Sequence, residues 1–452
     1  MADLARLAAK ARPMSAGEEI VASGSRGRRP ERGDETYRAD PQGTRTAQRS
    51  NRAARRSDSQ ALQVAVIGAG VAGLVCALRL AEAGAKVAVF ERAPRLDAGT
   101  SCLSAEILPL WGASLHLFAC ARRLGLSPRR LRTIAPTWSV AGAGTVILRT
   151  RWSGLEVWVE PEGMLSGAAR RAAGRALRRL LRAGRHGAST LPDVPLAQAA
   201  LPWGGEEGLR LLWRPLCRLL CLTAAEETPL PRLARLLAAA LGTRLQRQWV
   251  QLPDSFVEWF SVPLTRTLGH CGSEVAIAAP VHTLEPCDGG WRLPQTDGRR
   301  FDHVVLAVAP WDAAVLLREI QGLGALRHRL SNWPKTSLWS TILSCPSGEW
   351  RFTPAADAWC APAGGARTGW ASLDRPSVER LAPLGTAAIE EPWHDFLLPL
   401  PESSSLTPDI APGLWLAGGW LAPAPTFVGP EASAASGWHT AGAILNAEMV
   451  AG

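Results

Sequence analysis

The sequence predicts an α/β chain: a Rossmann-like dinucleotide-binding domain with an interleaved α+β substrate or cap domain. Three observations predict it: the stretch 64–91, a series of short strands between 274 and 308, and a buried strand ending in glycines at 412–420. The first is the most informative. Val64-Ala65-Val66-Ile67 is a short apolar run of the kind that forms a strand buried on both faces. Gly68, Gly70 and Gly73 follow in G-x-G-x-x-G spacing, with Ala69, Val71 and Ala72 between them. A helix over Leu74 to Glu82, a strand over Lys86 to Phe90, and Glu91 complete the unit. Gly68 permits a tight turn, Gly70 lets backbone approach a pyrophosphate, and Gly73 lets the helix pack close to the strand. The helix N-terminus offers unpaired N–H groups and a partial positive charge to phosphates. Glu91 stands about twenty residues after the glycines, where an acid accepts hydrogen bonds from an adenosine ribose.

Composition narrows the class. At 452 residues the chain is long enough for two intertwined domains. No run reaches the ~18 to 20 apolar residues of a membrane span, and the N-terminus lacks a charged-then-apolar leader pattern. The nine cysteines are odd in number and scattered, without C-x-x-C or zinc spacing. They read as reduced thiols in a cytoplasm, with no metal site. The net charge of +10 is almost all arginine, because Lys10, Lys86 and Lys335 are the only lysines. No nucleic-acid motif accompanies that charge, so a nucleic-acid partner is not expected. Residues 1–60 are rich in Arg, Ser, Gly and Asp and lack apolar periodicity, which reads as a disordered arginine-rich tail. The chain's one tyrosine, Tyr37, falls within it.

After Glu91 comes Arg92-Ala93-Pro94-Arg95-Leu96-Asp97-Ala98-Gly99. With the preceding βαβ unit, this opening resembles the FAD-binding start of the flavin amine oxidase and phytoene desaturase superfamily. The resemblance implies an FAD-binding domain of the GR2 flavoprotein type. It implies FAD held through Gly68, Ala69, Gly70, Val71, Ala72, Gly73, Glu91 and Arg92. At Asp97-Ala98-Gly99 the paired glycines and arginine of that superfamily are absent.

The middle of the chain reads as helical and basic. Residues 165–186 place seven arginines among Leu177, Leu180 and Leu181 at helical spacing, an amphipathic helix with a cationic face. That face is either a solvated outer surface of the cap domain or a helix resting on an anionic bilayer. The second alternative adds a peripheral seat on the inner membrane face to the cytoplasmic expectation. Next, Trp213-Arg214-Pro215-Leu216-Cys217, an acidic turn at Glu226-Glu227 and a Leu/Ala helix ending near Leu241 are similar to the hydroxysqualene dehydroxylases of hopanoid biosynthesis. That likeness implies a long-chain isoprenoid substrate and an association with squalene-pathway enzymes. Trp213 and Cys217 also lie four apart on one helix face, as core residues do.

From Pro263 the pattern is a helix to Cys271, a strand at Glu274–Ile277, and three short strands joined by turns at Asp288-Gly289-Gly290 and Asp297-Gly298. In the resembled group the residue at Val281 holds the adenine through its backbone. His282 and His303 read as ordinary strand residues. Helix 311–317 precedes a segment holding Trp333, Trp339, Trp350, Trp359 and Trp370, large rings that suit either a greasy substrate tunnel or plain core. Lys335 is weighed as a flavin-side lysine. Pro412 to Trp420 closes the cofactor domain, with Gly418 and Gly419 as cofactor contacts, and Gly419 stands where the superfamily has an aspartate. The segment after Thr426 lacks the superfamily's acid–glycine pair, and a helix runs from Glu431 to about Leu445.

The expected organisation is a tail at 1–60, cofactor-domain parts at 61–102, 269–310 and 406–452, and substrate-domain parts at 103–268 and 311–405. The function the resemblance implies is FAD-dependent reduction of hydroxysqualene to squalene. A phytoene-desaturase-like or amine-oxidase-like flavoenzyme is the alternative. A degenerate, non-catalytic scaffold in a squalene-forming complex is the alternative of another class. No catalytic residue is assigned.

Overall fold

The computed structural model describes residues 61–451 apart from 97–105, 128–130, 152–153, 162–163, 243–246, 344–348, 364–366, 386–392, 400–405 and 422–427. The expected tail with Tyr37, the Asp97-Ala98-Gly99 loop and Pro425-Thr426-Phe427 lie outside the described residues.

A six-stranded sheet carries the glycine-rich unit. Its strands are β1 (Gln63–Ile67), β2 (Lys86–Phe90), β3 (Glu274–Ala276), β4 (His303–Leu306), β5 (Asp409–Ala411) and β6 (Leu414–Leu416). They lie in the order β5-β6-β4-β1-β2-β3. All neighbours are parallel except β5 and β6, where the register shifts between Asp409 and Ala411. Successive residues of a strand face opposite ways, and β1 shows the consequence. Val64 and Val66 join one core, while Ala65 and Ile67 join the core on the other face. Burying each such Val or Ile contributes about 1.5–3 kcal/mol, more than the net ~0.5–1.5 kcal/mol of one ladder hydrogen bond. Burial therefore decides which distant segments join this sheet.

The helices among the described residues include α1 (Val71–Glu82), α2 (Leu115–Arg123), α3 (Gly167–His186), α4 (Arg214–Cys221), α5 (Leu230–Leu241), α6 (Val262–His270), α7 (Pro310–Leu316) and α8 (Pro430–Ala451). On the Val64 face lie α1, α2, α6 and α8. The opposite face is covered by α7 and by the antiparallel meander Glu285–Cys287, Gly290–Leu293 and Arg299–Phe301. Helix α1 begins three residues before the expected Leu74, because Gly70 already stands as its N-cap.

A second, eight-stranded sheet runs from His394–Pro399 through Lys335–Leu343, Arg367–Ser372, Ala358–Ala363, Trp350–Phe352, Thr137–Val140 and Gly144–Arg151 to Gly154–Glu160. Its core takes up the residues that carried the likeness to hydroxysqualene dehydroxylases, since Trp213 and Cys217 are fully buried there. A π-helical turn, Leu209–Trp213, leads into α4, whose second residue is Pro215; another, Val257–Ser261, leads into α6, whose second residue is Pro263. Proline lacks the N–H of the normal ladder and its ring crowds the preceding turn, so the wider turn relieves both. The tryptophans at 333, 350, 359 and 370 are buried core residues, and Trp359 Nε1 donates to the Ile107 carbonyl at 2.8 Å. Trp339, in the strand Lys335–Leu343, is only partly buried.

Helix α3 matches the amphipathic expectation. Ser166 caps it by accepting from the Ala169 N–H at 3.1 Å. Ala173, Gly174, Ala176, Leu177, Leu180 and Leu181 face inward. Arg171, Arg175, Arg179, Arg182 and Arg185 are exposed, and among the described residues none of the five forms an ion pair. No helix among the described residues is long and apolar enough to cross a membrane.

Candidate cofactor and active site

The carboxyl ends of β1, β4 and β6 converge, which is where open α/β sheets bind ligands. Gly68 follows β1, Ala307 and Val308 follow β4, and Gly418 and Gly419 follow β6; all line one cavity of about 710 Å³. Gly68 has φ +103°, and a Cβ there would stand 2.5 Å from the Ala307 carbonyl oxygen. At Gly73 a Cβ would run into the Gly68 carbonyl oxygen. The two glycines let α1 begin directly against the strand end. Gly70 and Ala72, from its first turn, line the cavity. That first turn has no side-chain cap and no acid, so its N–H groups are left for a ligand.

Glu91 closes the far side. Its Oε2 accepts from the Ala69 N–H at 2.8 Å and its Oε1 from the Ala93 N–H at 2.9 Å. The segment leading to Val281 is tied to it, because the Ala279 N–H donates to the Glu91 carbonyl at 2.8 Å. Glu91, Arg92 and Val281 line the cavity together. The Arg92 side chain is mostly exposed at the mouth, 3.3 Å from Asp312 of α7. Of the sequence-predicted site residues, Gly68, Gly70, Ala72, Glu91, Arg92, Val281, Gly418 and Gly419 thus come to one cavity. Ala69 serves Glu91, while Val71 and Gly73 pack behind the lining.

A family model described as FAD dependent oxidoreductase matches residues 63–420, which span this whole sheet through β6. The chain belongs to the FAD-dependent oxidoreductase family. A model described as pyridine nucleotide-disulphide oxidoreductase matches residues 3–107. No curated protein matches the chain. Among solved structures, an oxidoreductase from Methanosarcina mazei is similar over 85% of this chain and 100% of that one, at TM-score 0.59 and 15% identity. Cyclohexylamine oxidase from Brevibacterium oxydans is similar over 86% and 100%, at TM-score 0.59 and 17% identity. A redesigned putrescine oxidase is similar over 86% and 100%, at TM-score 0.57 and 15% identity. At these identities the likeness is one of fold.

FAD is the cofactor of this oxidoreductase, and the described residues fit it. The uncapped start of α1 suits the diphosphate, and the Glu91 carboxylate has lone pairs beyond its two backbone bonds for a ribose. Val281 lines the cavity together with Glu91. The cavity's size lies within the ~300–1,000 Å³ of cofactor sites.

Several contributors escape the sequence. Trp420 lines the cavity and donates through Nε1 to the Val308 carbonyl at 3.1 Å, with its ring edge-on to Trp333. The helix expected to begin at Glu431 brings that acid into the interior, where it is 4% exposed. Its carboxylate accepts from the N–H groups of His116 and Leu117, at 3.1 and 3.0 Å, and lies 2.8 Å from His116 Nδ1. Glu431 thereby caps α2, and no local signal marks a cap that comes from another helix. Lys335 lies over the Trp311 ring, 5.6 Å from its centre, in a cation–π contact. His303 is buried in β4, bonded to Trp415 and Glu448. Burial pushes the thiols of Cys76, Cys120 and Cys221 up to about 12 and that of Cys217 well above its ordinary value. None of these four is a thiolate nucleophile. Among the described residues no group of three His, Cys, Asp or Glu side chains gathers as a metal site.

Proposed function

We propose that this oxidoreductase acts on a long isoprenoid, and that its reaction is the reductive removal of the hydroxyl of hydroxysqualene to give squalene. The observation that carries this reading is the character of the cavity lining. Trp311, Val315, Leu316, Leu397, Pro399, Trp420 and Val428 make it largely apolar. The two carboxylates among the described lining residues are engaged, Glu91 by backbone N–H groups and Asp312 by Arg92. Among the described lining residues no carboxylate is left without a hydrogen-bond or ion-pair partner to receive an ammonium group, whereas an isoprenoid needs none. Reduced FAD supplies the hydride equivalent that replaces the hydroxyl, as the C–O bond breaks and the hydroxyl leaves with a proton as water. The chain's part is to orient the substrate along the apolar wall and keep water from the reacting carbon.

The test is incubation of the reduced, FAD-loaded protein with hydroxysqualene, analysed for squalene. Squalene formation is the expected result. Oxidation of cyclohexylamine or putrescine without any squalene would transfer the site to amine chemistry. A folded protein that never takes up FAD would leave the scaffold of a squalene-forming complex as its role.

The same reading gives α3 a place. An isoprenoid is dissolved in membranes, and five exposed arginines without ion-pair partners form a cationic strip suited to an anionic lipid surface. Each contributes about 1 kcal/mol near such a surface. The protein is expected to sediment with phosphatidylserine-containing vesicles and not with phosphatidylcholine alone. Reversing Arg175, Arg179 and Arg182 to Glu is expected to abolish that sedimentation. Equal sedimentation of the triple variant would exclude α3 as the contact.

A further inference from the structure

We propose that Ser433 is a cofactor-binding residue, its hydroxyl bonding an oxygen of the diphosphate–ribityl stretch of FAD. Three hydroxyls lie along one face of α8, at positions 433, 436 and 440, spaced three and four apart so that they stack. Two of them tie the helix to the end of β6. Ser436 Oγ accepts from the Gly418 N–H at 3.0 Å, and Thr440 Oγ1 donates to the Leu416 carbonyl at 2.9 Å. The third is different. Ser433 is 7% exposed and lines the cavity, and among the described residues its hydroxyl makes no hydrogen bond. The residue is held in the wall while its oxygen opens onto the cavity, so a group that enters the cavity is its natural partner.

The surroundings indicate what that group is. A Cβ on Gly419 would stand 2.8 Å from Ser433 Oγ, so the serine oxygen fills the side-chain space that Gly419 leaves open. Gly419 follows β6 at the same sheet edge that presents Gly68 and the uncapped start of α1. Ser433 also lies in the first turn of a 22-residue helix, where the dipole favours anionic oxygens. The one acid of that turn, Glu431, does not compete, because its carboxylate is bonded to His116 and Leu117. A hydroxyl both donates and accepts, so it serves a phosphate oxygen or a ribityl hydroxyl equally. The proposal rests on FAD as the cofactor and adds a residue to its site.

The experiment measures FAD affinity by flavin fluorescence titration of the FAD-stripped protein, together with the thermal midpoint of that stripped protein. Ser433→Ala is expected to weaken FAD binding about tenfold or more, as for a hydrogen bond to a charged group. Its stripped midpoint should match or exceed that of the parent, because no protein–protein bond is lost. Ser433→Thr, which keeps the hydroxyl, should restore most of the affinity. Ser436→Ala is the contrast and should lower the midpoint, since it breaks the bond to Gly418. Parental affinity in Ser433→Ala, or a midpoint loss as large as that of Ser436→Ala, overturns the assignment of Ser433 alone. A parent that takes up no FAD overturns the cofactor and the role of Ser433 with it.

Discussion

Replacing Gly73 by alanine is expected to weaken FAD binding by up to about 100-fold while the far-ultraviolet circular dichroism stays close to that of the parent. One added methyl would run into the Gly68 carbonyl oxygen and come within 3.1 Å of the Ala307 methyl. Neither neighbour is the end of a flexible side chain, so the strain falls on backbone. Overpacking of this kind costs about 1–3 kcal/mol, and each 1.4 kcal/mol is about tenfold in affinity. The cheapest relief moves the start of α1 away from the end of β1, and the N–H groups facing the cavity move with it. Gly269 of α6 is the control, since a Cβ there meets nothing within 4 Å. Gly269→Ala should bind FAD like the parent. Parental affinity in Gly73→Ala would mean that the close approach of helix and turn does not build the site.

Glu431→Ala is expected to lower the unfolding free energy by about 2–4 kcal/mol, because the loss strands buried N–H groups at the start of α2. The carboxylate is 4% exposed and accepts from two of those N–H groups. No substitute is at hand. Ser114, the N-cap residue of α2, makes no capping bond, and among the described residues its buried hydroxyl has no partner. A negative charge at a helix N-terminus adds to the loss when removed. Glu431→Gln keeps one acceptor oxygen without the charge and should fall between parent and alanine variant. Equal denaturant midpoints for Glu431→Ala and the parent would show that α2 does not need this cap.

What was legible in the sequence was local. The unit from β1 through α1 to Glu91 could be read because its turn, helix start and acid are fixed by neighbours within thirty positions of one another. The three-stranded meander and α3 were legible for the same reason, through turn chemistry and periodicity. Relations across the chain were not. Nothing local to Glu431 says that it will cap a helix 314 positions earlier. A tryptophan reads alike whether it will line a cavity or fill a core, and here Trp420 does the first while Trp350 and Trp359 do the second. Ser433 was invisible for a related reason: its meaning lies in the side-chain space that Gly419 leaves for its oxygen. The helix motif around Trp213 and Cys217 marks core packing and is not among the described residues that line the cavity.

The order in which the sheet is completed bears on how the protein is made. Strand β1 is hydrogen-bonded on one side to β2, its neighbour in sequence, and on the other to β4, whose Val304 pairs with Ala65. Until β4 leaves the ribosome, the nascent β1–β2 ribbon carries an open apolar edge, the kind of edge that invites pairing with other chains. The wall formed by Gly418, Gly419 and Ser433 arrives later still. The cofactor cavity is therefore complete only when nearly the whole chain has been made, whereas a cradle that closes within one contiguous segment is complete as soon as that segment folds.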